Sequence, residues 1–402
     1  MKVCLFSFPN LAHGGGFEKY LMSLGKELSD RGYEINIVTI NRYQQYKLEI
    51  ILSILYLKPR LKFPDKFRLS VWEIYESIGK SKLFEVKSLK EMKKYLNNVD
   101  IIYSKNEILD LSILNLLKDG NTPPIVTGLH TALYYPVANS IYSKFHNAIY
   151  SSRFYSSLLK MCSAIHTVNT DQKDFLVRIH QIEPNKIYFI PYWIEIDNEM
   201  IKERFKKLSS TSNNYFNILF AGRLTEQKGI DILCEIINKI NRRINSNSID
   251  SNKVIFHIAG SGEFDWKIEK LSKRYPNIKY YGHVSQKRMK ELYQISDLVI
   301  VPSRWETVSY VCLEAQSFGI PVIASRVSGP KDIVIDGKTG YLIEPNDVDS
   351  FVNAILYIYK NKDTEIYIRM CKESIENINK RFSKQVIIPK MMTLLKKITT
   401  QT

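Results

Sequence analysis

Short apolar runs alternate with helical patterns along the whole chain, and this alternation narrows the available folds more than any other feature. Residues 3–8 read as a first buried strand, followed by a His13-Gly14-Gly15-Gly16 turn. A helical stretch follows from Phe17 to about Arg31, with Tyr20, Leu21, Leu24 and Leu28 on one face and Gly32 at its end. Further strands are expected at 34–40, 99–103, 125–127, 164–168 and 187–190. The polar stretch 206–214 (KKLSSTSNN) breaks the pattern and reads as a linker. The same grammar then restarts, with strands at 216–220, 254–259, 278–281, 297–301 and 321–324 and a helix over 229–240. From Val348 onward the pattern is helical, with Phe351, Ala354, Ile355 and Ile358 on one face, and helices at 364–379 and 383–398 finish the chain. Strands alternating with helices imply βαβ units and parallel sheets. The chain therefore reads as two Rossmann-like, doubly wound α/β halves without internal sequence repeats.

A length of 402 residues suits two such domains. The expected boundaries are 1–205 for the first, 206–380 for the second, and 381–402 for a terminal helix returning to the first. Five widely spaced cysteines, without a CxxC pair, read as reduced thiols rather than a disulfide framework or zinc site. The longest near-continuous apolar run, 50–57, is far shorter than the roughly 18–20 residues that a spanning helix needs. The first residues resemble a buried strand rather than a signal segment. A cytoplasmic protein is expected, with peripheral contact to the membrane as an extension of that reading. The formal net charge of +16 favours anionic partners: a nucleotide, a nucleic acid or an anionic lipid surface.

In open α/β sheets, ligands bind beyond the carboxyl ends of the strands, so the loops leaving the strands are the candidates. Gly14-Gly15-Gly16 would let backbone approach a phosphate at a helix N-terminus, or would serve only as a tight structural turn. The stretch 220–229 (FAGRLTEQKG) places Arg223 and Lys228 around one turn, where a guanidinium fork and an ammonium suit a diphosphate or stand as two solvated cations. Gly260-Ser261-Gly262 lies at another strand end. Pro302-Ser303-Arg304-Trp305-Glu306 follows a strand, with Glu314 eight residues beyond Glu306. The two carboxylates could accept sugar or ribose hydroxyls, act as an acid/base pair, or cap a helix, and spacing alone leaves all three open.

Taken in order, these residues resemble the retaining glycosyltransferases of family 4. The likeness runs through Gly15-Gly16-Phe17-Glu18, His130, Ile190-Pro191, Gly222-Arg223-Leu224 with Gln227-Lys228-Gly229, Ala259-Gly260-Ser261-Gly262, and Gly282-His283-Val284. It ends with the Glu306-x7-Glu314 element and Gly319-x-Pro321-Val322. The resemblance implies a GT-B fold, two Rossmann-like domains facing a central cleft. It also implies metal-independent transfer of a sugar from a UDP- or GDP-linked donor to an acceptor hydroxyl, with no cofactor. Arg223, Lys228 and the Gly15 and Gly16 backbone would meet the diphosphate. Glu314 would hold the ribose, and Glu306 hydroxyls of the transferred sugar. Gly260, Ser309, Tyr310 and Val311 would line the donor, Val284 backbone would meet the base, and His130 would lie near the sugar and acceptor. Where the family often has Gly-Phe-Gly, this chain has Thr307-Val308-Ser309.

Between the second strand and Val99 lies a long basic stretch. Residues 50–57 are apolar, and Lys58, Arg60, Lys62, Lys66 and Arg68 follow; Lys80, Lys82, Lys87, Lys90, Lys93 and Lys94 come later. An apolar face beside lysines suits an interfacial helix, hence a lipid-linked glycan acceptor, or else a core helix with a solvated face. Tyr134, Tyr135, Tyr142, Tyr150 and Tyr155 would line an acceptor cleft or pack the domain. Two rivals remain: a nucleotide-sugar epimerase on the same fold, and a non-catalytic glycan-binding subunit. No nucleic-acid motif is present.

Overall fold

The computed structural model describes residues 1–8, 11, 16–41, 71–135, 141–209, 215–245 and 253–401. The chain divides into two compact units, Met1–Ile190 with Ile388–Thr402, and Pro191–Ile387. Each is built on one parallel sheet.

In the first unit the strands are β1 (Lys2–Ser7), β2 (Glu34–Ile40), β3 (Lys82–Val86), β4 (Ile101–Lys105), β5 (Ile125–Leu129), β6 (Ala164–Thr167) and β7 (Ile187–Phe189), in spatial order β3-β2-β1-β4-β5-β6-β7. In the second they are β8 (Phe216–Ala221), β9 (Val254–Ala259), β10 (Ile278–Gly282), β11 (Leu298–Val301), β12 (Val322–Ser325) and β13 (Gly340–Ile343), in order β10-β9-β8-β11-β12-β13. Both orders are doubly wound, as expected. The order reverses between β1 and β4 in one sheet and between β8 and β11 in the other, and there connections leave for opposite faces and open a crevice.

The central strands are apolar on both faces because helices cover both. Val3, Cys4, Leu5 and Phe6 are all fully buried in β1. Helix Val348–Asn361 buries Phe351, Ala354, Ile355 and Ile358, the face its spacing predicts, with Val352 beside them. Each such side chain contributes about 1.5–3 kcal/mol on burial. All five cysteines are free, and four of them are buried. Among the described residues no helix is long and apolar enough to cross a membrane.

One expectation changes, and two open alternatives narrow. The stretch 206–214 does not begin as a linker: helix Asn198–Ser209 runs into it, and 210–214 lie outside the described residues. The chain passes between units at Ile190 and Pro191 instead. The reason is Arg204, a buried cation on that helix, which donates to the Ser296 carbonyl (2.7 Å) and the Tyr367 hydroxyl (3.2 Å) and so ties the helix into the second unit.

The stretch between β2 and β4 is long, as expected, and carries elements the sequence reading did not name. It contains helix Val71–Ile78, the edge strand β3 and helix Leu89–Leu96. Met92 and Leu96 face the core, while Lys82 pairs with Glu34 (3.3 Å) and Lys93 with Asp119 (2.7 Å). These lysines belong to an amphipathic helix and a sheet edge. The apolar run 50–57 and Lys58, Arg60, Lys62, Lys66 and Arg68 lie outside the described residues.

Finally, Tyr150 and Tyr155 pack the core of the first unit against each other, with ring centroids 4.8 Å apart. Tyr134 is half exposed, and the ring of Tyr135 lies on His146.

Candidate functional site

In the second unit the loop leaving β8 is held by its neighbours through backbone. Gly222 N–H donates to the Ala259 carbonyl (3.0 Å) and Leu224 N–H to the Ser261 carbonyl (3.0 Å). Gly260 has φ +135°, and a Cβ there would lie 1.8 Å from the Gly222 carbonyl oxygen. Only glycine allows the β8 and β9 loops to touch in this way.

This loop presents both candidate cations. Arg223 is exposed, and its Nη2 donates to Gln227 Oε1 (3.1 Å). Gln227 in turn donates to the Trp305 carbonyl (3.1 Å), and its own carbonyl accepts from Arg304 N–H (2.8 Å). Arg304 grips Asp231 with both ends of its guanidinium (2.7 and 2.5 Å), and these bonds hold the Asp231 carboxyl below its ordinary range. The loops after β8 and β11, which flank the crevice, are thus sewn together.

Lys228 and Glu306 meet inside this seam. The Lys228 ammonium donates to Glu306 Oε1, and the same oxygen accepts from the Ser303 hydroxyl (2.9 Å). The Lys228 and Glu306 side chains are only 16% and 5% exposed, so their attraction is weakly screened by water. An ammonium has three donors, and Glu306 takes one of them here.

Glu314 lies on helix Tyr310–Ser317, in the same connection beyond β11. Its Oε2 accepts from the Tyr293 hydroxyl (2.8 Å). Burial raises the Glu314 pKa, and the Tyr293 bond opposes that shift. Ser309 caps this helix by accepting from Cys312 N–H (3.4 Å), so its side chain is turned to its own helix. The Tyr310 ring lies tilted beside that of Tyr192, with centroids 5.1 Å apart, and Val311 follows it in the first turn. Val284 lies in the short connection between β10 and helix Gln286–Ile295.

The first unit is described separately. His130 follows β5 and is buried; Phe17 and Tyr20 of helix Gly16–Ser29 lie on its ring at 4.8 and 4.5 Å. Its Nε2 is 2.8 Å from the Tyr103 hydroxyl, which is 2.7 Å from His166 Nδ1. Nearby are Lys105 and Glu18, 3.8 Å apart and both buried. Asp110 is fully buried and accepts from Phe8 N–H (2.8 Å); burial pushes its carboxyl up to about 7. Gly16 opens its helix, and Gly15 lies outside the described residues.

The structure therefore brings Arg223, Lys228, Glu306 and Gly260 to adjoining loops of one unit, with Glu314 on the helix beyond. Gln227, Ser303, Tyr293 and the Arg304–Asp231 clamp were given no role by sequence reasoning. Ser303 and Arg304 sit within the stretch already singled out, whereas Tyr293 carries no local signal at all. Among the described residues, no group of three or more His, Cys, Asp or Glu is arranged to hold a metal ion.

Two family models match successive parts of the chain: Glycosyltransferase Family 4 over residues 14–198 and Glycosyl transferases group 1 over 201–381. An Escherichia coli UDP-Gal:alpha-D-GlcNAc-diphosphoundecaprenol alpha-1,3-galactosyltransferase is 28% identical over 229 residues, 54% of this chain and 57% of that protein. The uncharacterized glycosyltransferase MJ1607 of Methanocaldococcus jannaschii is 26% identical over 91% of this chain and 93% of its own length. The chain spans about half the length of the first curated relatives it matches. Among solved structures, Anabaena HepE in complex with UDP and glucose shares the fold, with a TM-score of 0.70 and 17% identity over 98% of this chain and 99% of that one.

Proposed function

We propose, from the premise that this chain belongs to glycosyltransferase family 4, that it moves a sugar from a UDP- or GDP-linked donor to a hydroxyl of a lipid-linked or other glycan, with retained configuration and without a metal ion. The chain is an enzyme of the glycosyltransferase type, on the GT-B fold. The observation that carries the finer reading is the convergence of Lys228, Arg223 and Glu306 where the strand order of the second sheet reverses. The E. coli relative is named for transfer to a diphosphoundecaprenol-linked sugar, which favours an acceptor of that class.

Each residue has a task its chemistry suits. Negative charge grows on the leaving diphosphate, so cations already in place stabilise the transition state more than the ground state. Lys228 supplies a fixed, partly buried ammonium, and Arg223 an exposed fork. Glu306 keeps the ammonium in register before the donor arrives, then accepts hydroxyls of the sugar. Glu314 accepts ribose hydroxyls, and His130 serves the sugar and acceptor from the first unit. Gly260, Ser309, Tyr310, Val311 and Val284 line the donor chiefly through backbone.

The test is incubation with a panel of UDP- and GDP-sugars and a polyprenyl-diphosphate-linked sugar, read by mass spectrometry and by NMR of the new anomeric centre. An acceptor heavier by one sugar, in the donor's anomeric configuration, is the expected result. An epimerised donor without transfer would support the epimerase instead. Inverted product would overturn the stereochemical part alone.

Two further outcomes follow. Activity should survive excess EDTA, because cationic side chains meet the diphosphate; loss on chelation with recovery on adding magnesium or manganese would contradict this. Donor affinity should also fall on the acid side, because ionised Glu314 accepts ribose hydroxyls through both oxygens and more strongly than its protonated form. Burial raises its pKa, so the fall begins above the pH of an ordinary glutamate. Tyr293→Phe removes the bond that opposes the shift, and should move the fall to still higher pH. An unmoved profile would separate Glu314 from donor binding.

A further inference from the structure

Where the order of the first sheet reverses, a buried ammonium and a buried carboxylate face each other across a gap too wide for a hydrogen bond. Lys105 ends β4, beside the end of β1, and Glu18 lies in the first turn of helix Gly16–Ser29, which follows β1. Lys105 Nζ is 3.8 Å from Glu18 Oε1. Among the described residues, no hydrogen bond to another group completes either charged end. Their side chains are 8% and 5% exposed, so the charges are largely withdrawn from water without being sealed from it. Burial opposes the charge on Lys105, but the carboxylates of Asp110, Glu107 and Glu18 outweigh it and raise its pKa. Lys105 is therefore an ammonium at pH 7. The Phe17 ring lies beneath this ammonium, 5.4 Å from centroid to Nζ, and beside the His130 ring at 4.8 Å. The pair is thus a neighbour of His130.

We propose that Lys105 and Glu18 form a hydroxyl-binding subsite for the acceptor sugar, in which Lys105 donates to one hydroxyl oxygen and Glu18 accepts the hydrogen bond that the same hydroxyl donates. The spacing suits a single bridging oxygen, which can stand within hydrogen-bond reach of both ends of a 3.8 Å gap. A hydroxyl fits because it donates and accepts at once, whereas an ionised phosphate only accepts and an ammonium only donates. Charge argues the same way. Asp110 and Glu107 act on Lys105 together with Glu18, so an anion drawn to the ammonium would meet three carboxylates around it. A neutral polyol escapes that repulsion. Hydrogen bonds to charged groups are stronger than neutral ones, so an acceptor lacking the bridging hydroxyl should be rejected. The assignment rests on the proposed transfer to a glycan hydroxyl, and adds which residues of the first unit select the acceptor.

The probes are farnesyl-diphosphate-linked glucose, galactose and N-acetylglucosamine, each with its deoxy analogues. They are titrated calorimetrically into the full chain in the presence of UDP, so that no transfer takes place. For the best-bound parent, one deoxy analogue should bind the wild type ~10–100-fold more weakly, the scale of a hydrogen bond to a charged group. Lys105→Met and Glu18→Gln should each weaken the parent by a similar factor and no longer distinguish it from that analogue, with UDP affinity unchanged. An ion pair that serves the fold alone would lower the melting temperature of both variants and leave the deoxy loss in place, which would overturn the subsite. No binding of any parent, or a series in which no hydroxyl matters, would overturn it with the wild type alone. Farnesyl diphosphate binding as tightly as the parents, and losing that affinity in Lys105→Met, would put an anion there and overturn the hydroxyl assignment. The coupled pattern without transfer to any probe from the donor panel would uphold the subsite and overturn the proposed transfer to this acceptor class.

Discussion

Replacing Lys228 by alanine is expected to cut turnover by ~10²–10³-fold, the scale for losing one preorganised donor to a developing negative charge. Two effects act together. The diphosphate loses its partly buried cation, and Glu306 is left as a buried carboxylate bonded to Ser303 without its ammonium. An unpaired buried charge is costly and would also repel the donor. Lys228→Ala combined with Glu306→Gln separates the two: relief of repulsion would restore donor affinity but not turnover. Arg223→Ala is expected in the same range, because the Arg223 fork is the second cation on the loop. Steady-state kcat and KM, with a melting curve for each variant, decide the matter. Near-normal turnover in both single variants with the fold intact would remove the diphosphate assignment.

Gly260→Ala is expected to abolish donor binding and to destabilise the second unit by about 2 kcal/mol or more. The added Cβ would meet the backbone of Gly222 rather than a yielding side chain, so the loop bearing Arg223 and Lys228 must move. Gly282 is the internal control. It also has positive φ (+62°), but nothing lies within 4 Å of a Cβ there. Gly282→Ala should therefore cost only the conformational strain, about 1–2 kcal/mol. Urea midpoints at constant slope, with calorimetric titration of UDP and GDP, would distinguish the two. Equal costs at both glycines would mean that the loop contact is not what requires Gly260.

Much of the architecture was legible because its signal is local. Strands such as β1 and β8 are runs of apolar residues between helical patterns, and buried parallel strands leave that trace. The strand β3 left none: KLFEV has charged residues at two of its five positions, as an edge strand tolerates, and lysine-rich surroundings hid it. The four-residue β13 was too short to show a period. The boundary was misplaced because polar composition marks loops, whereas Arg204 ties its helix inward through bonds to residues far along the chain.

The same division runs through the site. Arg223, Lys228, Glu306 and Glu314 were identifiable as residues on strand-end loops. Their partners were not, because Lys228 meets Glu306 across 78 positions and Tyr293 meets Glu314 from a different helix. The contacts of the Tyr103 hydroxyl with His130 and His166 join residues 27 and 63 positions apart, and no spacing rule reaches them. Ser309 shows the converse. Its departure from the family pattern is plain in the sequence, but only the cap to Cys312 tells where the extra atoms go.

The return of the last helix to the first unit bears on how the molecule is made. Helix Lys384–Thr400 leaves the second unit at Ile387, beside Pro389, and the first unit takes up Ile388–Thr402. Ile388, Met391, Leu394, Leu395 and Ile398 are all buried there, and Lys397 lies over the ring of Tyr188. During synthesis the seven strands of the first sheet precede the whole second unit, but this apolar cover follows it. The second unit, continuous in sequence from Pro191 to Ile387, can close while translation is still under way. The half that begins first is thus completed only after the second, and a nascent chain stalled before residue 388 lacks the buried side chains of Ile388, Met391, Leu394, Leu395 and Ile398.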